Sequence, residues 1–322
     1  MSDWQPSASL AALKQRAGLY AMIRRFFSER AVIEVETPVL SRAGNPDPNI
    51  QSLTLTVNLP QNQPGRRWLR TSPEFALKRL VAAGMGDCFE MGRVFRDGEA
   101  GRRHNPEFTM LEWYRVGWDH RRLMEETADL VQAAMALSGR RTSVREISFR
   151  DLYRSTLGID PFTDSDHALR APLAVYAIEP EGLCRDDWLD LLMTHLIQPA
   201  LPSNRVLLVY DYPPSQCALA RIRPDAPPVA ERFELYLGSL EVANGYHELT
   251  NPAEQRERFA ANAQSRQREG ARPIPVDQAF IAALDAGLPA CAGVALGVDR
   301  LLMAMQGTDN IQDVMAFPAE RA

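Results

Sequence analysis

Extended stretches follow one another in this chain with little more than a glycine or a short polar turn between them. FELYLGSLEVANGYHEL (233–249) reads as strands broken by Gly238 and Gly245. EMGRVFRDGEAGRRHNPEFTMLEWYR (90–115) reads as two charged strands flanking a polar turn around Gly98–Arg103. Strands and helices therefore do not alternate in strict βαβ order. The pattern predicts an α+β architecture, an antiparallel β-sheet flanked by helices, rather than a doubly wound parallel fold.

Helices are predicted where apolar residues recur at helical spacing. Residues 10–30 carry Leu13, Ala17, Tyr20 and Phe27, and residues 121–137 place Leu123, Leu130, Ala134 and Leu137 on one side. Residues 253–269 read as a polar helix, and 163–204 as helical or irregular. Pro38 interrupts the extended VIEVETPVL, SLTLTV (52–57) alternates like a strand, and VLLVYDY (206–212) reads as a buried strand. GVALGVDRLLMAM (293–305) runs from a glycine-rich strand into a helix.

A hydrophobic content of 45% is ample for a buried core. No apolar stretch is long enough to span a bilayer, and the N-terminus lacks the basic start and apolar run of a secretory signal. Cys88, Cys184, Cys217 and Cys291 stand far apart with no CxxC pair, which fits a reducing cytoplasm. The five histidines are equally scattered, so no histidine-rich metal centre is expected. A net charge of −5 argues against a nucleic-acid coat protein. Lys14 and Lys78 are the only lysines among 36 basic residues. The arginine excess reflects composition, or at a few positions the use of planar phosphate-gripping donors. No GxxxxGK[ST] loop is present, which removes a P-loop nucleotide site.

Three constellations carry chemistry. Around Gly98–Arg103, the side chains of Arg93, Arg96, Arg102, Arg103 and His104 could converge on one anion, or could form a solvated hairpin. Glu234, Glu241 and Glu248 recur every seven residues. A tight turn at Leu237–Gly238 would set Glu234 directly opposite Glu241, with Cβ atoms about 4.5–5.5 Å apart. Such a pair repels unless a cation lies between, and Mg²⁺ with substrate phosphates would suit. The alternative is a wet sheet face. In GVALGVDR (293–300), Gly293 and Gly297 permit close backbone approach to a ligand or to neighbouring backbone, and Arg300 follows at the strand–helix junction.

Taken together, ETPVL (36–40), TSPEFALKRL (71–80), VFRDGEAGRRHNPEFTMLEWY (94–114), FELYLGSLEVANGYHEL (233–249) and GVALGVDRLLM (293–303) resemble class II aminoacyl-tRNA synthetases of the lysyl-tRNA synthetase branch. The resemblance runs from about residue 10 to the C-terminus. The first motif, around Pro38, comes too early for an anticodon-binding OB-fold to precede it. The chain is thus more similar to the truncated relatives, the elongation factor P–(R)-β-lysine ligases. The resemblance implies a single catalytic domain over residues 1–322, in the cytoplasm, as a homodimer with ETPVL at the interface. It implies activation of (R)-β-lysine or lysine with ATP and Mg²⁺, then transfer to a lysine of elongation factor P. It gives no role to a membrane, and tRNA is not the expected acceptor. A minimal lysyl-tRNA synthetase-like enzyme and a non-catalytic regulator are the alternatives.

The resemblance also assigns roles by position. Arg96 would hold the α-phosphate, and Arg300 and His104 the outer phosphates with Asn105 beside them. Phe108 would stack on adenine. Glu234 and Glu241 would bind magnesium, the backbone at Glu241–Val242 would approach the nucleoside, and Gly297 would border the nucleotide. In Ser72-Pro73-Glu74 the glutamate would take a substrate amino group. Glu112, Tyr114 and Glu248 would line the amino-acid pocket and pair its far ammonium. Two departures stand out. The family's Arg-x-Glu becomes Arg96-Asp97-Gly98-Glu99, so Glu99 or the backbone would have to read adenine. Ala295 replaces a glycine, and its methyl group would clash with an α-amino group more than with a β-amino group.

Overall fold

The computed structural model describes residues 4–58, 64–268 and 270–322. In chain order the elements are α1 (Leu10–Ser28), β1 (Ile33–Glu34), β2 (Leu40–Ser41), β3 (Thr54–Asn58), β4 (Pro64–Leu69), α2 (Glu74–Ala82), β5 (Cys88–Phe95), β6 (Glu107–Val116) and α3 (His120–Leu137). Then come β7 (Ser143–Ser148), α4 (Phe149–Leu157), α5 (Asp166–Arg170), α6 (Arg185–Leu192), β8 (Arg205–Tyr212), β9 (Ile222–Arg223), β10 (Val229–Leu237) and β11 (Leu240–His247). The last are α7 (Pro252–Arg268), α8 (Gln278–Gly287), β12 (Cys291–Gly297) and α9 (Val298–Gln306). The last residue of the expected 253–269 helix lies outside the described residues. Among the described residues no helix is long and apolar enough to cross a membrane. The chain divides into two compact units, Met1–Trp118 with Leu249–Ala322, and Asp119–Glu248.

In the first unit the strands run β1-β5-β6-β12. β1 is parallel to β5, and β5–β6 and β6–β12 are antiparallel. β2, β4 and β3 form a separate small sheet. Helix α1 starts at Ser9, whose hydroxyl accepts from the Ala12 amide and satisfies one of the orphan donors of the first turn. It buries Leu19, Ile23 and Phe27. Phe27 stacks on Phe89 at 4.5 Å and meets Trp113 edge-on at 5.3 Å. Phe89 and Trp113 thus face α1. Strand alternation turns their neighbours Glu90, Glu112 and Tyr114 to the opposite face.

In the second unit the order is β11-β10-β8-β7, with β9 on the flank of β10. β7 and β8 are parallel, because the long connection through α4–α6 leaves room for a crossover. Each unit therefore contains one parallel pair, and the strand set is mixed rather than purely antiparallel. α3 begins at Asp119, which caps the Arg122 amide. Its Leu123, Leu130 and Ala134 are buried as their spacing predicts, whereas Leu137 is exposed. Leu152 and Tyr153 of α4, Leu189 and Leu192 of α6, and Leu207 and Val209 of β8 form one core.

The turn between β10 and β11 corrects the sequence reading. The pair closing it is Leu237–Leu240, with Gly238 and Ser239 between, and a register shift follows at Leu235–Tyr236. Gly238 has φ +56° and lies so near the Ser203 backbone that a Cβ would stand 3.3 Å from its Cα. Gly245 does not break the strand; it pairs with Phe233 inside β11.

Candidate functional site

In the first unit, β5, β6 and β12 bring three residues into one row. Glu90 pairs with Glu112, and Glu112 pairs with Ala295. Paired residues on adjacent strands project to the same face. Gly293 is paired with Tyr114 and Gly297 with Met110. Along β12, Val294 and Leu296 are buried while Ala295 keeps partial exposure. The Ala295 methyl group therefore lies on the Glu112 face of the sheet and is partly exposed.

Glu112 is 2% exposed. Its carboxyl accepts from Ser72 Oγ at 2.7 Å and Tyr114 OH at 2.8 Å. Burial first, and then the neighbouring Glu74 carboxylate, push its pKa up to about 8. Ser72 Oγ also accepts from the Glu74 amide at 2.9 Å, which fixes the start of α2, where Pro73 is the cap residue. Glu74 is paired with the fully buried Lys78 at 2.5 Å, one helical turn on. Spacing alone did not single out Lys78.

The same row holds a second buried carboxylate, Glu90. Glu90 accepts from Thr37 Oγ1 at 2.6 Å and from Arg70 Nη1 at 2.5 Å. Arg70 also donates to the carbonyls of Arg93 at 3.0 Å and Thr37 at 3.2 Å. A Cβ at Gly92 would fall 2.5 Å from Arg70 Nη2, so a side chain there would push the guanidinium from its present place. The sequence reading missed Arg70 and Glu90, because nothing in their spacing ties a residue before α2 to the middle of β5.

The expected phosphate-binding residues separate into three contacts. Arg96 donates to Thr71 O and Glu99 Oε1, both at 3.4 Å, and lies 5.2 Å from the centre of the Phe108 ring. Arg300 Nη2 is 2.7 Å from His104 Nε2. Arg300 is carried by α9, whose first-turn Asp299 accepts from the Thr109 amide at 2.7 Å and from Arg16 Nη2 at 2.5 Å. Gly297 precedes that helix, and a Cβ there would make only ordinary contacts with Arg300. Asn105 is buried, donating to Glu107 O at 2.6 Å and accepting from the Ala319 amide at 2.9 Å, which ties the loop to the C-terminal segment. Asp97 is exposed, and its amide donates to Gln51 O. The glycine at 98 has a backbone cause: φ +78°, a region side chains disfavour.

In the second unit the opposed pair Glu234–Glu241 is not formed. Glu234 is paired with Asn244 and Glu241 with Tyr236, because of the turn and the register shift. The Glu234 carboxylate accepts from Tyr212 OH at 2.7 Å, from Tyr236 OH and from Arg232 Nη2. Both its oxygens are thereby committed to donors of the protein. The register offsets the two glutamates along the strands instead of setting them directly opposite. Val242 and Glu248 are buried, and Glu248 forms a backbone bridge with Ala220.

The family model for tRNA synthetases class II (D, K and N) matches residues 2–321. The chain belongs to the class II tRNA synthetase family. It is 46% identical over 326 residues to a protein of Vibrio cholerae named elongation factor P–(R)-β-lysine ligase, covering all of this chain and 99% of that one. Proteins of the same name in Proteus mirabilis and Yersinia enterocolitica are 44% and 43% identical, again across 100% of this chain and 99% of theirs.

Proposed function

We propose that this protein activates (R)-β-lysine, or lysine, with ATP as an aminoacyl-adenylate and transfers the acyl group to a lysine side chain of elongation factor P. The observation that carries the reading is the buried Glu112, held by Ser72 and Tyr114 beside the Glu74–Lys78 pair and bordered by Ala295. Ammonium burial needs a paired acid, and the relatives' names specify a lysine-like substrate. In the first half-reaction the amino-acid carboxylate attacks the α-phosphorus and pyrophosphate leaves. Arg96 would counter charge developing at that phosphorus, with Phe108 against the adenine. Arg300 and His104 would hold the outer phosphates. In the second half-reaction the acceptor amine attacks the acyl carbon and AMP leaves.

Magnesium would accompany the triphosphate as part of the substrate. Glu241 remains the candidate carboxylate for it, whereas Glu234 would have to leave Arg232 and two tyrosines. The roles of Val242 and Glu248 rest on the resemblance. The match over residues 2–321 supports reading the chain as one catalytic domain. Exposed Ile33, Val39 and Leu40 support a homodimer around ETPVL, and cysteines outside any disulfide among the described residues fit the cytoplasm.

The test is amino-acid-dependent pyrophosphate exchange without acceptor, followed by transfer of labelled amino acid to elongation factor P or to tRNA. Exchange plus protein labelling is expected. Folded protein that exchanges no pyrophosphate would overturn the activation step, and labelling of tRNA alone would overturn the acceptor.

A further inference from the structure

Two of the five histidines, which their scatter in the sequence kept apart, meet in the second unit. His120 is the first residue of α3, and His247 is the last of β11. Between them stands Glu231 of β10. One ligand atom from each of His120, Glu231 and His247 lies within 4.8 Å of the others. His120 is 2% exposed and Glu231 6%. His247 Nδ1 is 2.7 Å from Glu231 Oε2.

His120 is the unexplained member. Neither of its ring nitrogens reaches a partner at hydrogen-bond geometry, although both are buried. A buried imidazole left so costs free energy, and such groups in folded proteins are normally satisfied. Asp211 Oδ1 stands 3.5 Å from His120 Nε2 and is likewise unsatisfied. Asp211 holds the left-handed backbone conformation, φ +59°, which non-glycine residues seldom adopt. Its other oxygen accepts from Arg223 at 2.7 Å.

We propose that His120, His247 and Glu231 form a binding site for a borderline-soft divalent transition cation, Zn²⁺ foremost, with Asp211 orienting or completing the shell. Two imidazoles and one carboxylate are the donor set that zinc takes with a fourth position left for water or another oxygen. The all-oxygen preference of magnesium and calcium excludes them from a site built on two nitrogens. Donor atoms around tetrahedral zinc stand roughly 3.3 Å apart. His247 Nδ1 and Glu231 Oε2 are 2.7 Å apart, and one donor atom from each of the three residues lies within 4.8 Å of the others, so small side-chain shifts reach that value. Metal entry replaces the His247–Glu231 hydrogen bond, and a carboxylate beside a ligating histidine fixes its ring.

Two guanidinium groups oppose the cation. Arg223 Nη1 is 3.4 Å from Glu231 Oε1, and Arg221 Nε is 3.5 Å from Oε2. Arg221 is 54% exposed at its side chain, so water screens it and it can swing away. Binding weaker than that of a closed structural zinc site follows. The site ties the start of α3 to β10 and β11, so its natural effect is to staple these elements.

The experiment uses the purified full chain, stripped with chelator and titrated with Zn²⁺ by calorimetry. One equivalent is expected at a submillimolar Kd, weakened at least about tenfold in His120→Leu and in His247→Gln, each checked for native circular dichroism. Because a buried substitution can impair folding, the zinc-loaded wild type is also measured by X-ray absorption, which needs no variant. Two imidazole ligands per zinc are expected there. A Kd weaker than millimolar, unchanged binding in both folded variants, or a first shell of sulfur or of oxygen alone would each overturn the proposal.

Discussion

Binding of the amino acid should release a proton from Glu112. Burial and the neighbouring Glu74 push this carboxyl from its usual 4.5 to about 8, so at pH 7 only roughly one molecule in eleven carries the charge. A substrate ammonium needs the ionised form. Each unit between the pH and the pKa costs about 1.4 kcal/mol, so affinity should rise roughly tenfold per pH unit from about pH 6 to about 8 and level off above. Isothermal titration in buffers of different ionisation enthalpy should give about 0.9 proton released per amino acid at pH 7, and about half a proton at pH 8. Glu112→Gln keeps the side-chain size and should abolish both the release and the slope. The same shift acts on the stability of the unliganded protein. A carboxyl whose pKa is raised on folding contributes stability that is fully present below about 4.5 and is lost as pH rises through about 8. No proton release, or equal release in the variant, would refute the role of Glu112 as the ammonium partner.

Three further outcomes are expected. Arg96→Ala should lower adenylation about 10²–10³-fold at native circular dichroism; near-normal turnover would show that Arg96 does not touch the reacting phosphate. Ala295→Gly should shift the ratio of kcat/KM for the two isomers toward α-lysine, by about tenfold for one methyl group; an unmoved ratio would end the steric account of selectivity. Arg70→Ala should destabilise the fold by about 3–5 kcal/mol, because Glu90 is left buried and unpaired; a melting temperature unchanged from wild type would contradict the burial argument.

Much of this molecule is legible before any coordinates. Helical spacing marked α1 and α3, and runs of strand-forming residues marked β5, β6, β8 and β12, since period and turn chemistry are local properties. The family resemblance grouped Glu112 and Tyr114, and the Tyr114 hydroxyl does donate to the Glu112 carboxyl at 2.8 Å. Where the sequence reading failed, the missing information was register. Glu234 and Glu241 would oppose one another about a turn at Leu237–Gly238, but the turn forms one position later and a register shift follows. That displacement changes every partner across β10 and β11 and sets Asn244, not Glu241, opposite Glu234. The same limit applies across longer separations. Arg70 with Glu90, Arg16 with Asp299, and His120 with His247 are joined only by packing. Sequence alone determined where the longer helices and strands lie, because those preferences reside in each side chain and its neighbours. Tertiary structure alone decided which buried charges meet, because such pairings depend on how strands align and where burial leaves a polar atom no other partner.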